Sequence, residues 1–406
     1  MFCPYCGHNV GEVVKFCGSC GKHIEFLAFV DNSKYFTNNI FKKRLSQPKY
    51  FRDSYSYNET LDILASKHKQ KISLTTLKCR LKKELKGPGQ HYGYRSMWQT
   101  LCQKHHLSVK RHYVMVMMAE LDPSGVVTGQ KLSEEYKTKT VQKDVYDSPG
   151  PNYTWHFDGY DKLKPYGLAI SGCIDGYLRK VLWLVCGATN SNPAVIVQHY
   201  VQCGSEFGVI PVRLRTDYGI ENGTMAAMHC ALWSSHQDFF AGAASHMYGS
   251  STTNQRIESW WSYFRKQRTQ FWMDLLSDMR EMHVFNGSHE HMCLVRFIFM
   301  AVLQRDLDEC KRKWNTHLIR PVSQSRCPSG KPDVMYYLPH RFAGCDCGLA
   351  VGHQQLSQFR MSSTPDFCGD PHLQEYFEGL NSGFSSSQTW ESRVENYIRL
   401  KTLAGL

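Results

Sequence analysis

Between Tyr153 and Asp217 the chain carries three apolar, β-prone runs in close succession, then a helical run, then a fourth strand-like run. Tyr153-Thr-Trp-His-Phe-Asp158 alternates with the period of a strand. Tyr166 to Ile174 and Lys180 to Cys186 are two further strands, separated by the turn Asp175-Gly176, so three antiparallel strands follow one another. Pro193 to Phe207 reads as a helix, because Val195, Ile196, His199, Tyr200 and Cys203 recur at helical spacing. Pro211 to Asp217 is a fourth strand, and Ser251 to Phe271 a long helix. Strands, helix, strand and helix in this order predict an α/β fold: a mixed sheet flanked by helices.

Acidic residues sit where this arrangement would gather them. Asp158 ends the first strand, Asp217 ends the fourth, and Glu258 lies on the long helix, with 58 and 40 residues between successive acids. One aspartate at a strand end is ordinarily a turn or a cap. Three acids in a matching pattern of elements point instead to a shared site. Carboxylate oxygens suit Mg²⁺ (or Mn²⁺), which keeps open positions for water and phosphate. Two such ions can activate a nucleophile, water or a DNA 3′-hydroxyl, and stabilise the leaving oxygen of a phosphodiester. Arg256 and Arg265 on the same helix could face a phosphate backbone. Trp260 and Trp261 are expected to divide between core and surface.

The charge distribution adds a polyanionic partner. The formal net charge is +12, and residues 1–150 hold 24 Lys+Arg against 13 Asp+Glu, so nearly all the excess lies in the N-terminal third. A localised basic field suits DNA. Within it, Asn58 to His68 and Leu74 to Leu85 read as two helices, the second carrying Lys78, Arg80, Lys82 and Lys83. Tyr94 to His105 and Ser108 to Leu121 form a second such pair, with Met97, Trp98 and Leu101 inward and Lys110 and Arg111 opening the last helix. A helix, a tight turn and a basic helix make a helix-turn-helix pattern. At the start of the chain, Cys3-x-x-Cys6 and Cys17-x-x-Cys20 are each followed by glycine, and four thiolates so spaced can surround one Zn²⁺. That spacing, together with 16 cysteines spread over a long chain, suggests a reducing compartment. No apolar run approaches the roughly 18 residues of a membrane span, and the N-terminus lacks the basic start and apolar stretch of a signal peptide.

The expected organisation is a zinc ribbon at 1–25, helix-turn-helix-like units at 50–86 and 88–125, a linker at 126–150, a catalytic core at 151–320 and a partly disordered extension at 321–406. Several motifs carry a resemblance. Trp155-His-Phe-Asp158-Gly-Tyr-Asp-Lys-Leu163, Ile174-Asp-Gly-Tyr-Leu-Arg179, Arg215-Thr-Asp217-Tyr-Gly-Ile-Glu-Asn222 and Ser251-Thr-Thr-Asn-Gln-Arg-Ile-Glu258-Ser-Trp-Trp261 resemble the integrase-core proteins of retroviral, retrotransposon and related DNA-transposon type, in particular a eukaryotic branch. Trp314-Asn315-x-His317 and Gly330-Lys-Pro-Asp333 resemble the usual end of that core. The resemblance implies a ribonuclease-H-like fold with Asp158, Asp217 and Glu258 as catalytic carboxylates. It further implies DNA nicking and strand transfer, and assembly as a homo-oligomer. The expected location is the nucleus, or cytoplasm and nucleus. One departure is the short connection Glu84-Leu-Lys-Gly-Pro-Gly-Gln90 between the helical units. Two other functions are compatible with the same residues: a catalytically silent, domesticated DNA-binding or chromatin protein, and a nuclease for RNA·DNA hybrids.

Overall fold

A computed structural model describes residues 74–123, 148–250, 254–321, 327–342, 344–359, 368–382 and 389–406. The cysteine ribbon, with Cys3, Cys6, Cys17 and Cys20, lies outside the described residues, as do the first part of the 50–86 unit and nearly all of the linker.

The centre is a five-stranded sheet. Strands β1 (Thr154–Tyr160), β2 (Ala169–Asp175) and β3 (Val181–Gly187) form an antiparallel meander, as their short connections require. Helix α4 (Pro193–Phe207) returns the chain across the sheet, so β5 (Arg213–Thr216) joins β1 in parallel. The two-residue β4 (Val209–Ile210) lies apart, paired with β7 (Leu349–Ala350). A short β6 (His246–Tyr248), reached through helix α5 (Gly223–Leu232), adds to β5 in parallel and completes the order β3-β2-β1-β5-β6.

Alternation along the strands divides the core in two. Trp155, Phe157, Cys173, Trp183 and Leu214 face α4 and α5. Tyr160, Ile170, Ile174, Val181 and Cys186 face the other layer. That layer contains α6 (Gln255–Phe264), α7 (Gln270–Glu281) and the 28-residue α8 (His289–Thr316). The five-stranded mixed sheet between helical layers fits a ribonuclease-H-like α/β fold. The tail joins the same core: Phe377 of α9 (Pro371–Asn381) and Tyr397 and Leu400 of α10 (Trp390–Ala404) are fully buried there.

Two amides of α8 finish the exposed edge of the sheet. Asn315 accepts from Val181 N (2.9 Å) and donates to Val181 O (2.8 Å). Gln304 accepts from Cys186 N (2.8 Å) and donates to Leu184 O (3.1 Å). Each side chain takes the place of a missing neighbouring strand, which satisfies the edge and closes it to further pairing.

The helix anticipated over Ser251 to Phe271 is interrupted. Between α6 and α7, residues Arg265–Thr269 form a π-helical turn. The wider turn carries Arg268 inward, where its guanidinium pairs with Asp306 and Glu309 of α8 and lies 5.0 Å from the Tyr92 ring centroid.

Helices α1 (Leu74–Lys86), α2 (Tyr94–Gln103) and α3 (Arg111–Leu121) share one small core of Leu77, Leu81, Met97, Leu101, Val114 and Met117. The basic α1 thus packs with the second helical pair. The unit is fastened to α8 by polar contacts: Lys313 Nζ donates to Thr100 Oγ1 (2.9 Å), and Lys104 Nζ lies 3.1 Å from Glu84 and 3.2 Å from Glu309. Glu84 is buried. Burial alone would raise its pKa, but the hydrogen bond from His105 and the charge of Lys104 outweigh that and hold it at about 2, against an ordinary 4.5. A carboxyl depressed on folding stabilises the fold above its unfolded pKa, and that contribution disappears as pH falls from 4.5 towards 2. Glu84→Gln should therefore cost up to about 3 kcal/mol at pH 7. The difference from wild type should shrink below pH 4.5 and be nearly gone at about pH 2, as denaturant titrations at pH 7 and pH 2 would show. An equal gap at both would refute this assignment.

Candidate active site

Asp158 does not end its strand. β1 continues through Gly159 and Tyr160, which pair with Ser171 and Ile170 of β2. Tyr160 is kept in the strand by packing on Trp261 (ring centroids 5.1 Å apart) and Phe264 (5.3 Å). What ends before Asp158 is the parallel ladder to β5. Thr154, Trp155 and His156 lie opposite Arg213, Leu214 and Arg215. Continuing that register by two residues sets Asp158 level with Asp217, at the carboxyl end of two neighbouring parallel strands. Ligand sites of open α/β sheets lie at such ends. Alternation turns Asp158 to the face covered by α6.

The first turn of α6 supplies Glu258. Its position follows from two hydrogen bonds of the buried Asn254, the residue before the helix. His156 Nδ1 donates to Asn254 Oδ1 (2.7 Å), and Asn254 Nδ2 donates to Phe157 O (2.9 Å). Complete burial holds the His156 pKa down to about 3, so this clamp is neutral. One turn on, Trp261 Nε1 donates to Asp158 Oδ2 (2.8 Å). Both Trp260 and Trp261 are buried, at 3% and 5% exposure, instead of dividing between core and surface. Asp217 is fixed differently: its Oδ1 accepts from Gly219 N (3.2 Å) and Asn222 Nδ2 (2.7 Å).

The indole reaches Asp158 because Gly172 stands opposite Asp158 in the β1–β2 ladder. A Cβ there would lie 2.8 Å from Trp261 Cη2, inside contact distance. Gly172→Ala should therefore force the indole away, costing about 1–3 kcal/mol of stability and lowering activity more than this loss explains. Denaturant unfolding alongside turnover would check it. A variant as stable and active as wild type would show that this close approach has no role.

The three acids influence one another. Burial first, then the charges of Glu258 and Asp217, push Asp158 up to about 7 from an ordinary 3.8, against the opposing Trp261 hydrogen bond. Burial and Asp217 likewise raise Glu258. Three half-buried carboxylates therefore repel one another, and their all-oxygen donor set suits a hard divalent cation that would cancel that repulsion. Among the described residues, no three His, Cys, Asp or Glu side chains are drawn closely enough to form a finished metal cage.

The basic residues are dispersed. Arg256 turns its guanidinium to Cys327 Sγ (2.9 Å), whereas Arg265 is exposed, with Nε 3.4 Å from Gln270 Oε1. Lys78 pairs with Glu120 at 2.7 Å, and Arg111 lies over the Trp98 ring at 4.8 Å. Arg80, Lys82, Lys83 and Lys110 are exposed on the three-helix unit. The supporting residues His156, Gly172 and Asn222 were not evident from sequence. His156 had a usable signal, since it shares the strand face of Asp158.

No helix among the described residues is long and apolar enough to cross a membrane. No curated protein matches the chain. Residues 145–330, which hold β1 to β6, α6 to α8 and all three carboxylates, match the family model of the integrase core domain.

Proposed function

We propose that the chain is a polynucleotidyl transferase of integrase or transposase type, acting on DNA by nicking and strand transfer. The observation that supports it most is that Asp158 and Asp217 fall level at one end of the parallel strands with Glu258 nearby, so that burial together with neighbouring charge holds Asp158 and Glu258 above their ordinary pKa. In this reading the three carboxylates hold two Mg²⁺ or Mn²⁺ ions. When bound, such ions activate the attacking hydroxyl and neutralise the leaving oxygen. The chain's own residues set the geometry. Trp261 orients Asp158, Asn222 orients Asp217, and the His156–Asn254 clamp sets the helix bearing Glu258.

DNA would be held through its phosphates by exposed basic residues of the three-helix unit, among them Arg80, Lys82 and Lys83, so affinity should fall steeply with salt. The four thiolates of Cys3, Cys6, Cys17 and Cys20 would bind one Zn²⁺. Joining two DNA ends would need more than one copy of the chain, working where its DNA substrate is, in the nucleus.

The test is cleavage and joining of duplex DNA by the purified chain with Mg²⁺ or Mn²⁺. Nicking or joined products that disappear in Asp158→Asn are expected. Cleavage confined to RNA·DNA hybrids would replace transfer with hybrid hydrolysis. Salt-sensitive DNA binding without cleavage, unchanged in Asp158→Asn, would identify a silent DNA-binding protein.

A further inference from the structure

Two tyrosines beside the carboxylates turn much of their surface outward. Tyr218 directly follows Asp217 and is 72% exposed; Tyr248 ends β6 and is 48% exposed. Their rings are parallel to within 11°, with centroids 6.0 Å apart. At that separation parallel rings in contact are offset, so each keeps part of a face uncovered.

The pair is built into the site. Tyr248 lies opposite Thr216 in the last step of the β5–β6 ladder, one residue before Asp217. From below, His246 meets the Tyr248 ring edge-on, with centroids 4.2 Å apart, and its Nε2 is 3.2 Å from Thr216 Oγ1. From the other side, Asp217 holds the turn that presents Tyr218, through Gly219 N and Asn222 Nδ2. The residue that orients one acid therefore also fixes one aromatic ring. Next along the turn, Ile220 is 92% exposed and extends the apolar surface. Large exposed apolar groups held in fixed positions beside a reaction centre indicate something that covers them.

We infer that Tyr218 and Tyr248 form a stacking platform for an unpaired base of the DNA strand that enters the carboxylate site. Every base has a π-face, and aromatic side chains on which bases stack are the common means of holding single strands without reading sequence. A duplex offers no free base faces except at an end or where a base is turned out of the stack. The platform therefore selects DNA ends and opened steps over continuous duplex. It rests on the transferase reading for its choice of DNA, and its test does not depend on turnover.

The probe is a duplex ending in a single-stranded 3′ overhang that contains 2-aminopurine, with a blunt duplex of the same sequence as reference. Binding is followed in buffer without added Mg²⁺ or Mn²⁺, using the full chain. The wild type should bind the overhang about tenfold more tightly than the blunt end and quench the 2-aminopurine by stacking. Tyr218→Ala and Tyr248→Ala should each lose most of that preference and quenching, with unchanged melting temperature because both rings are exposed. Tyr218→Phe and Tyr248→Phe should retain both. No overhang preference in the wild type, no binding of either probe, or a preference that survives both alanine changes would overturn the platform. Asp158→Asn should keep the preference. A chain that shows the platform but cuts nothing with added metal would overturn only the transferase reading. A chain that cuts DNA without preferring overhangs would overturn only the platform.

Discussion

Asp158→Asn is expected to reduce metal-dependent phosphodiester transfer by about a thousandfold or more while making the fold more stable near neutral pH. Asparagine keeps the shape of the side chain and an oxygen to accept the Trp261 N–H, so the local packing survives. It removes the charge that a divalent ion would need. The sign of the stability change follows from the raised pKa. The Asp158 carboxyl stands at about 7 in the fold against an ordinary 3.8, so its contribution is favourable below 3.8 and is lost as pH rises through 7. At pH 8 the ionised group opposes folding, by on the order of 1 kcal/mol after allowance for solvent screening. Thermal melts at pH 8 should therefore place the inactive variant above wild type. A variant that loses activity because it melts much lower would show that Asp158 is needed for structure, not chemistry.

The largest stability effect is expected at Arg268. It is 1% exposed, bonded to Asp306 and Glu309, and lies against Tyr92 of the three-helix unit. Arg268→Met leaves Asp306 and Glu309 without their buried cation, a loss of about 3–5 kcal/mol. Lys104, which also pairs with Glu309, remains but reaches from the exposed side. The three-helix unit should loosen from α8, seen as faster amide exchange in α2 together with a lower midpoint in denaturant. Adding Asp306→Leu should recover part of the loss, because it removes one of the stranded charges, although Trp272 Nε1 then loses its acceptor. Two single losses that simply add would show that Arg268 and Asp306 act independently.

The sequence carried the elements better than their joining. Alternation marked β1, an apolar β-prone run marked β3, helical spacing marked α4 with the bounds found, and the acids were recognisable because each fell near an element's end. Short β6 was missed, since three residues, His246–Tyr248, carry no period to read. The extent of β1 was misjudged because Asp158 looks like a terminator. Tyr160 prolongs the strand through contacts with Trp261 and Phe264, which lie far along the chain. The π turn was equally hidden, for it exists where Arg268 meets Asp306 and Glu309, residues of another helix. The supports of the acids were invisible for the same reason: the Trp261–Asp158 and His156–Asn254 bonds span 103 and 98 residues.

In the proposed function, Asp158, Asp217 and Glu258 act as one divalent-metal site. Titration calorimetry of Mn²⁺ into the full chain, loaded beforehand with Zn²⁺, tests it without any knowledge of the DNA substrate. Saturable Mn²⁺ binding is expected, weakened at least about tenfold in each of Asp158→Asn, Asp217→Asn and Glu258→Gln, with all three variants still folded. Mn²⁺ binding that is unchanged by all three substitutions, or absent from the wild type, would contradict it.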